Sequence, residues 1–250
     1  MPDLALRPRS ATELVDAAFQ LYRREPLQFI IGLGMIYIPW MVLAGALGLS
    51  NPNATVTLAN LVIRALGGVL VYTLSAGVST VLANDLYFDR PVDLGRAFRA
   101  VLASLVPLAV TMFVAGFAIG LGFVFLIVPG FFMLAHLFAV KQAVLLEGAA
   151  PDAALGRSGA LSKGYKMHIL VTLLILYLLY FAISVGVVVF ARLIPSLLVQ
   201  TAISTIVGII IYPMFGIAET LLYYDLRIRK EGFDIEYLAS AGLEKDAVAT

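Results

Sequence analysis

The chain consists of long apolar stretches without charge, separated by short segments that hold nearly all of its charged residues. The runs that contain no Asp, Glu, Lys or Arg cover residues 26–63, 65–84, 100–140, 167–191 and 193–218. An α-helix needs about 20 apolar residues to cross roughly 30 Å of hydrocarbon. Each run is therefore long enough for at least one membrane span.

Two of these runs are too long for one span and predict a reversal of the chain. A single helix over residues 100–140 would extend about 60 Å, twice the hydrocarbon thickness. We expect this run to turn back near Gly120-Leu121-Gly122, with Pro129-Gly130 in the first turns of the returning helix, where a missing N–H is tolerated. The first run divides at Ser50-Asn51-Pro52-Asn53, because these residues favour turns.

The divided runs predict six spans within one membrane domain of residues 1–234. The spans lie at about 27–49, 59–82, 102–122, 125–145, 169–189 and 197–222. Residues 235–250 alternate Ala, Gly and charges without a periodic apolar face, and we expect them to form a weakly ordered cytoplasmic tail.

A short segment that favours an amphipathic helix precedes each pair of spans. Ser10 and Glu13 have the spacing of a capping box before the first of these helices. Asp93 and Asp152 are positioned to cap the second and third, although two glycines weaken the third. The predicted fold is an all-α integral membrane protein with six transmembrane helices, arranged as three hairpins that each follow a short amphipathic cytoplasmic helix.

The basic residues predict the orientation of the spans. All but two of the 17 Lys and Arg residues lie near the same ends of the predicted spans, and Arg64 and Arg192 lie at the opposite ends. The positive-inside rule assigns the basic side to the cytoplasm. We therefore expect a multi-pass protein of the plasma (inner) membrane with both termini in the cytoplasm. The 16 acidic residues share the basic side, which predicts a surface of internal ion pairs.

Composition restricts the chemistry. The chain is 61% hydrophobic and 13% charged, whereas about 25% charged is usual in soluble domains. It has no cysteine, which excludes thiolate nucleophiles and cysteine-bound metals. A net charge of +1 and the lack of a long basic tract argue against nucleic acid as a partner. We predict no cofactor and no metal site, and we expect membrane lipids as partners, with a protein partner left open.

Several short motifs are distributed over nearly the whole chain. They are Leu6-Arg7-Pro8, Pro129-Gly130-Phe131, Glu147, Ala154-Leu155-Gly156-Arg157-Ser158 with Leu161 and Gly164, and residues 223–229. Together they resemble a bacterial and archaeal family named for the membrane domain of glycerophosphoryl diester phosphodiesterase. The resemblance implies a six-span domain without the phosphodiesterase barrel. Phosphodiesterases of that kind use a histidine followed by arginine, whereas His136 and His168 are followed by Leu and Ile, so the activity is not implied.

The charged residues of these motifs form a candidate site. Its members, all expected to meet at the cytoplasmic ends of the spans, are Glu147, Arg157, Ser158, Asp225, Arg227 and Arg229. An arginine fork there can bind a carboxylate or a lipid phosphate with two hydrogen bonds. Two interpretations stay open, a structural network of ion pairs and a binding site for an anionic head group.

Two further ionisable side chains lie inside the predicted spans, where such groups are functional candidates by default. Glu219 is near the inner end of the last span, and we expect it to reach water or to pair with Arg227. His136 has no charged neighbour in its span. We expect a neutral histidine bonded to a facing hydroxyl group, with a proton carrier as the alternative.

Small residues and prolines within the spans allow two interpretations. Gly116 and Gly120 form a G-x-x-x-G pair, which permits close approach of helices. Pro39, Pro107 and Pro213 can each kink a span. Helix packing explains all five residues, but kinked spans also open lateral cavities.

These features predict a non-catalytic membrane scaffold or lipid-associated accessory protein. The Gly77-Val78-Ser79 and Tyr224-Asp225 matches to membrane proteases are minimal, and an H-E-x-x-H zinc motif is absent from the sequence. The alternative is a transporter or lipid-handling protein with a cavity between kinked spans. A wet cavity at the centre of the bundle, lined by His136, Ser79, Tyr180 or Ser204, would favour this alternative, whereas a solid bundle core would favour the scaffold.

Overall fold

The computed structural model describes residues 7–49 and 57–235, and all regular elements in these two ranges are α-helices. In order they are α1 (Ala11–Tyr22), α2 (Pro26–Ala46), α3 (Leu58–Tyr87), α4 (Leu94–Ala103), α5 (Leu105–Phe125), α6 (Ile127–His136), α7 (Val140–Glu147), α8 (Pro151–Ser162), α9 (Lys166–Ala191), α10 (Leu197–Ile211) and α11 (Pro213–Glu231). Six segments are long and apolar enough to cross a membrane, namely α2, α3, α5, α6 with α7, α9, and α10 with α11. The chain is therefore an all-α, multi-pass membrane protein.

The third and fourth spans reverse later than the sequence predicts. α5 continues through Gly120 and Gly122 to Phe125, and the chain turns at Leu126, which has an extended backbone (φ −162°, ψ 147°). Gly122 has a different role, because a Cβ there would lie 2.9 Å from the Cα of Gly130 in α6. Pro129-Gly130 lies in the first turn of α6, as predicted. The predicted turn at 50–53 and nearly all of the predicted tail lie outside the described residues.

The helix N-termini confirm two of the three predicted caps. The Ser10 side chain accepts a hydrogen bond from the Glu13 amide, and the Ser10 amide donates to Glu13 Oε2, which completes the capping box. Asp93 accepts a bond from the amide of Arg96 at the start of α4. The prediction that Asp152 caps α8 is wrong. α8 begins at Pro151, whose missing N–H needs no partner, and Asp152 is its second residue.

Buried side chains concentrate in one half of the bundle. This half ends at Asp85, Glu147 and Asp225 and is called the charged end; the opposite end, which carries Arg64 and Arg192, is called the sparse end. In α3, residues 73–87 are mostly buried, whereas residues 58–72 are exposed except for buried Gly67 and Val71 and partly buried Asn60. α11 is buried along most of its length and packs against α1 and α3. The helices are therefore tightly packed at the charged end and less so at the sparse end.

The prolines mark irregular points in the spans. Pro213 opens α11 directly after α10 ends, and Pro39 lies inside α2. Pro107 is the third residue of α5, which follows α4 across Ser104. The fourth span is also interrupted, between His136 and Val140, although no proline or glycine lies there.

Candidate functional site

A first network of charged side chains joins three helices at the charged end. Arg157 of α8 donates from Nε and Nη2 to Glu147 at 2.8–3.0 Å, and its guanidinium also binds Glu231 at the end of α11. Tyr223 donates to Glu147, and Arg227 donates to Glu231 at 3.0 Å. The two carboxylates raise the pKa of Arg157 above its ordinary value, Glu231 having the larger effect. Arg157 is thus engaged on both sides by carboxylates of its own chain.

A second network centres on Asp225, whose side chain is 1% exposed. Its Oδ2 atom accepts hydrogen bonds from Arg229 at 2.8 Å and from His168 at 3.0 Å. Its Oδ1 atom accepts a bond from the Arg9 amide at 2.6 Å, and Arg229 donates to the Arg9 carbonyl oxygen. These bonds fasten the segment before α1 to α11. The six residues predicted as one cluster therefore divide between two networks, with one exception.

The exception is Ser158 of α8, whose side chain contacts the break between α6 and α7. Its hydroxyl group donates to the His136 carbonyl oxygen at 2.8 Å and accepts from the Ala139 amide at 3.1 Å. Ser158 and Ala139 are fully buried. The Ser158 side chain of α8 therefore provides hydrogen-bond partners for two main-chain groups at the break in the fourth span.

The His136 ring differs from its predicted setting. The hydroxyl group that approaches His136 binds its main chain, and within the described residues the ring Nδ1 atom has no hydrogen-bond partner. The ring stacks on Phe132 with centroids 6.3 Å apart and lies against Gly159, where a Cβ would come within 2.4 Å of Cε1. The prediction of a hydroxyl partner for the ring is therefore wrong.

Glu219 forms an ion pair with Lys141 of α7. The side chains are 14% and 7% exposed, respectively. The predicted pairing of Glu219 with Arg227 is wrong, because Arg227 lies two turns further along α11 and binds Glu231. Sequence reasoning grouped Lys141 with the cytoplasmic basic residues, since it lies at the end of an uncharged run, and so missed its buried position.

The Lys141–Glu219 pair borders a cavity of about 130 Å³, called the central cavity. Tyr72 of α3 and Tyr177 of α9 line its other side. Gly116 of α5 also lines it, and a Cβ at Gly116 or at Gly120 would meet no atom within 4 Å. The predicted close helix approach at this glycine pair is therefore wrong within the described residues.

A larger cavity, of about 510 Å³, lies between α2, α9 and α10 and is called the sparse-end cavity. Its lining combines apolar surface with the polar side chains of Arg192, Gln200, Ser204 and Thr205. Tyr180 and Ser204 were among the four residues whose presence in a cavity would favour the transport alternative. His136 and Ser79, the other two of these residues, do not line the sparse-end cavity, and Ser79 is buried against Gly216 of α11.

Next to the sparse-end cavity is a third cavity, of about 130 Å³, called the apolar cavity. Tyr180 lines both cavities. The rest of the apolar cavity is mostly aliphatic and aromatic, with Phe19 from α1, Leu176 from α9 and Ile210 from α10. A polar chamber and an apolar chamber thus share one wall.

Aromatic rings that line the sparse-end cavity lie close to aromatic rings that line the central cavity. Tyr212 lines the first and Tyr72 lines the second, and their rings meet edge to face with centroids 6.4 Å apart. Tyr180 lines the first and Tyr177 the second, and both rings contact Phe215. The sequence contains these tyrosines but no signal that groups them.

Fold and cavities together define a helical multi-pass membrane protein with a cavity of mixed polarity between α2, α9 and α10. Comparisons with protein families, curated proteins and solved structures find no match for this chain. The family resemblance noted in the sequence stays a prediction.

Proposed function

We propose that the protein is a non-catalytic lipid-handling protein whose sparse-end cavity binds a membrane lipid with an anionic head group. The observation that carries this proposal is the polar cavity beside Arg192, which shares a wall with an apolar cavity. A cavity with polar side chains beside an apolar cavity fits the head group and the hydrocarbon chain of a lipid. The combined volume of the two cavities is within the range of about 300–1,000 Å³ typical of ligand sites.

The depth of the polar residues supports a bound polar group. Ser204 lies seven residues into α10, about 10 Å along the helix axis from its start. Hydroxyl and amide groups are costly to place in hydrocarbon without partners, so polar side chains in a span usually face protein, water or a ligand. Ser204, Thr205 and Gln200 face the same chamber and line it on one side.

The charge of Arg192 supports an anionic ligand. The sequence has no acidic residue from 26 to 84, from 94 to 146 or from 153 to 218. Consequently, no acidic residue of these segments is available to pair with Arg192 at the sparse end. Its exposed guanidinium fits the geometry of a phosphate group, which it binds with two parallel hydrogen bonds.

The apolar cavity supports a ligand with a hydrocarbon chain. Its lining from α9 and α10 is continuous with the sparse-end cavity at Tyr180. A head group near Arg192 would direct an acyl chain along this wall. We infer that the ligand is an amphiphile and not a small polar solute.

The orientation follows from the basic residues. We infer a plasma (inner) membrane location with both termini in the cytoplasm, and with Arg192 and the sparse-end cavity on the outer side. We also infer three helical hairpins, each preceded by a short amphipathic helix. α1 supports this because Leu14, Ala18 and Leu21 are almost fully buried against the bundle, whereas its opposite face carries charge.

The scaffold remains a second proposed function, favoured by the networks at the charged end. Arg157 is occupied by two carboxylates and Asp225 by three donors. Such a surface favours a rigid platform over a head-group site, because a lipid phosphate would have to displace a carboxylate from each arginine. A protein partner would then bind the charged end.

Lipid retention tests the lipid-handling proposal. Gly208 lines the sparse-end cavity, and a Cβ at this position would meet no atom within 4 Å. Gly208→Leu therefore places a side chain in the cavity, and its Cβ clashes with no neighbouring atom. Gly186→Leu is the matched control, because Gly186 is equally open but lines none of the three cavities. We expect native mass spectrometry to show phosphatidylglycerol retained by the wild type and the control, and lowered at least about tenfold in Gly208→Leu, a change of about 1.4 kcal/mol.

A charge variant gives the second arm of this test. Arg192→Gln should lower retention of phosphatidylglycerol but not of phosphatidylcholine. Arg64→Gln removes the same charge from the same end, but Arg64 donates to the Leu49 carbonyl oxygen and does not line the cavity. Equal retention in all four variants, or no retained lipid in the wild type, would contradict the lipid-handling proposal and leave the scaffold.

A further inference from the structure

We propose that the central cavity is a second binding site for the same anionic group, at which Lys141 is the anion-binding residue and Glu219 is a displaceable internal counter-ion that takes up a proton when the ligand binds. This inference rests on the proposed lipid-handling function and adds to it a second site, a route and a coupled proton.

The geometry of the Lys141–Glu219 pair supports the assignment. The two side chains come from α7 and α11 and meet at the wall of a chamber, and the pair is largely shielded from solvent. A buried ion pair with no access serves packing alone, but this pair faces a space of about 130 Å³. The Glu219 carboxylate therefore lies where a phosphate oxygen of a ligand would bind the Lys141 ammonium group.

The route to this site passes two tyrosine rings. Tyr72 and Tyr212 are in ring contact, and each lines a different cavity. In this proposal, a rotation of these two side chains, whose rings meet edge to face, joins the two chambers. Arg192 then lies at one end of the route and Lys141 at the other, so that a cation attracts the anionic group in each chamber.

The proton follows from charge balance. With the pair intact, Lys141 and Glu219 together are neutral. An anion that binds Lys141 and displaces an ionised Glu219 would leave two negative charges beside one positive charge in a poorly solvated site, which is strongly unfavourable. If Glu219 takes one proton from water, the site returns to neutrality. One anionic group and one proton therefore enter together, and no covalent bond is made or broken.

The other groups that face the pair are few. Tyr72 from α3 and Tyr177 from α9 are the titratable side chains that line the central cavity with it, while the lining from α5 and α6 is apolar. Tyrosine hydroxyl groups stay neutral near pH 7, so among these groups Glu219 is the proton acceptor.

Transbilayer movement of a fluorescent lipid tests the inference. Full-length protein is reconstituted into phosphatidylcholine vesicles containing NBD-phosphatidylglycerol, and dithionite quenching reports the lipid that moves to the outer leaflet. A step that needs one proton should accelerate by about tenfold for each unit decrease in pH near neutrality. Glu219→Gln, which resembles the protonated acid, should move the lipid at a rate that changes less than about twofold over the same interval.

Matched glycine variants separate the cavity from general effects on folding. Gly116 and Gly120 are one turn apart on α5 and both open, but only Gly116 lines the central cavity. Gly116→Leu should abolish lipid movement, and Gly120→Leu should preserve it. A wild-type rate independent of pH, unchanged pH dependence in Glu219→Gln, or full movement in Gly116→Leu would each overturn the inference.

Two further measurements report the coupled proton directly and distinguish a lipid head group from a free anion. If Glu219→Gln does not yield folded protein, a trapped pH dye in wild-type vesicles should report one proton per lipid moved, and no proton signal would overturn the inference. Inorganic phosphate supplied to the same vesicles separates a lipid head group from a free anion: uptake blocked by Gly116→Leu would identify a free phosphate ligand, and movement of the lipid alone would identify the head group. Retention that depends on Gly208 but no lipid movement would overturn this inference and leave the proposed function intact.

Discussion

The Ser158 hydroxyl group and the His136 carbonyl oxygen are 2.8 Å apart, and this hydrogen bond joins α8 to the broken end of α6. The same hydroxyl accepts a bond from the Ala139 amide. One side chain therefore satisfies a donor and an acceptor on the two sides of the break, which allows the fourth span to change direction inside the bundle.

Removal of this hydroxyl should destabilise the protein. Ser158→Ala leaves a buried N–H and a buried C=O without partners, at a cost of about 1–3 kcal/mol for each group. Ser162→Ala is the control on the same helix, because the Ser162 hydroxyl donates only to the Gly159 carbonyl of its own turn. Thermal unfolding in detergent should show a clearly lower Tm for Ser158→Ala and a small change for Ser162→Ala. Equal Tm values would show that water replaces the Ser158 bonds.

The two glycines of α8 should respond to alanine in opposite directions. Gly156 is open, so Gly156→Ala should stabilise the helix by up to about 1 kcal/mol. At Gly159 the added methyl group would lie 2.4 Å from the His136 ring, and overpacking of this kind costs about 1–3 kcal/mol. Tm should rise for the first variant and fall for the second. A rise for both would mean that the His136 ring moves without cost.

The Arg157 fork should contribute to stability and not to lipid retention. Arg157→Ala releases two carboxylates on different helices, and we expect a loss of about 1–2 kcal/mol because the guanidinium is partly screened by water. Arg24→Ala breaks the exposed Arg24–Asp89 pair and should have little effect. Normal Tm with loss of bound phosphatidylglycerol in Arg157→Ala would instead assign a head-group site to the charged end.

The sequence predicts the spans well because the length of an uncharged apolar run is a property of the chain alone. The caps at Ser10 and Asp93 were also predictable, since they depend on neighbours within three residues. The reversal at Leu126 lies later in the chain than the turn predicted at Gly120-Leu121-Gly122, because Gly122 allows α5 to pack closely on α6 and does not mark a turn.

The candidate site was less predictable because its pairings join distant helices. Lys141 and Glu219 are 78 residues apart, and no sequence spacing indicates that they form a pair. The break in the fourth span contains Leu, Phe and Ala, none of which disfavours a helix strongly, so only the contact with α8 reveals it. The sparse-end cavity likewise depends on the looser packing at that end.

The most direct test of the central claim is an experimental structure of the protein in phosphatidylglycerol nanodiscs. We predict lipid density in the sparse-end cavity, with the phosphate within hydrogen-bond distance of Arg192 and an acyl chain beside Tyr180 in the apolar cavity. Density confined to the outer surface of the bundle, with both cavities filled by water or closed by side chains, would contradict the account.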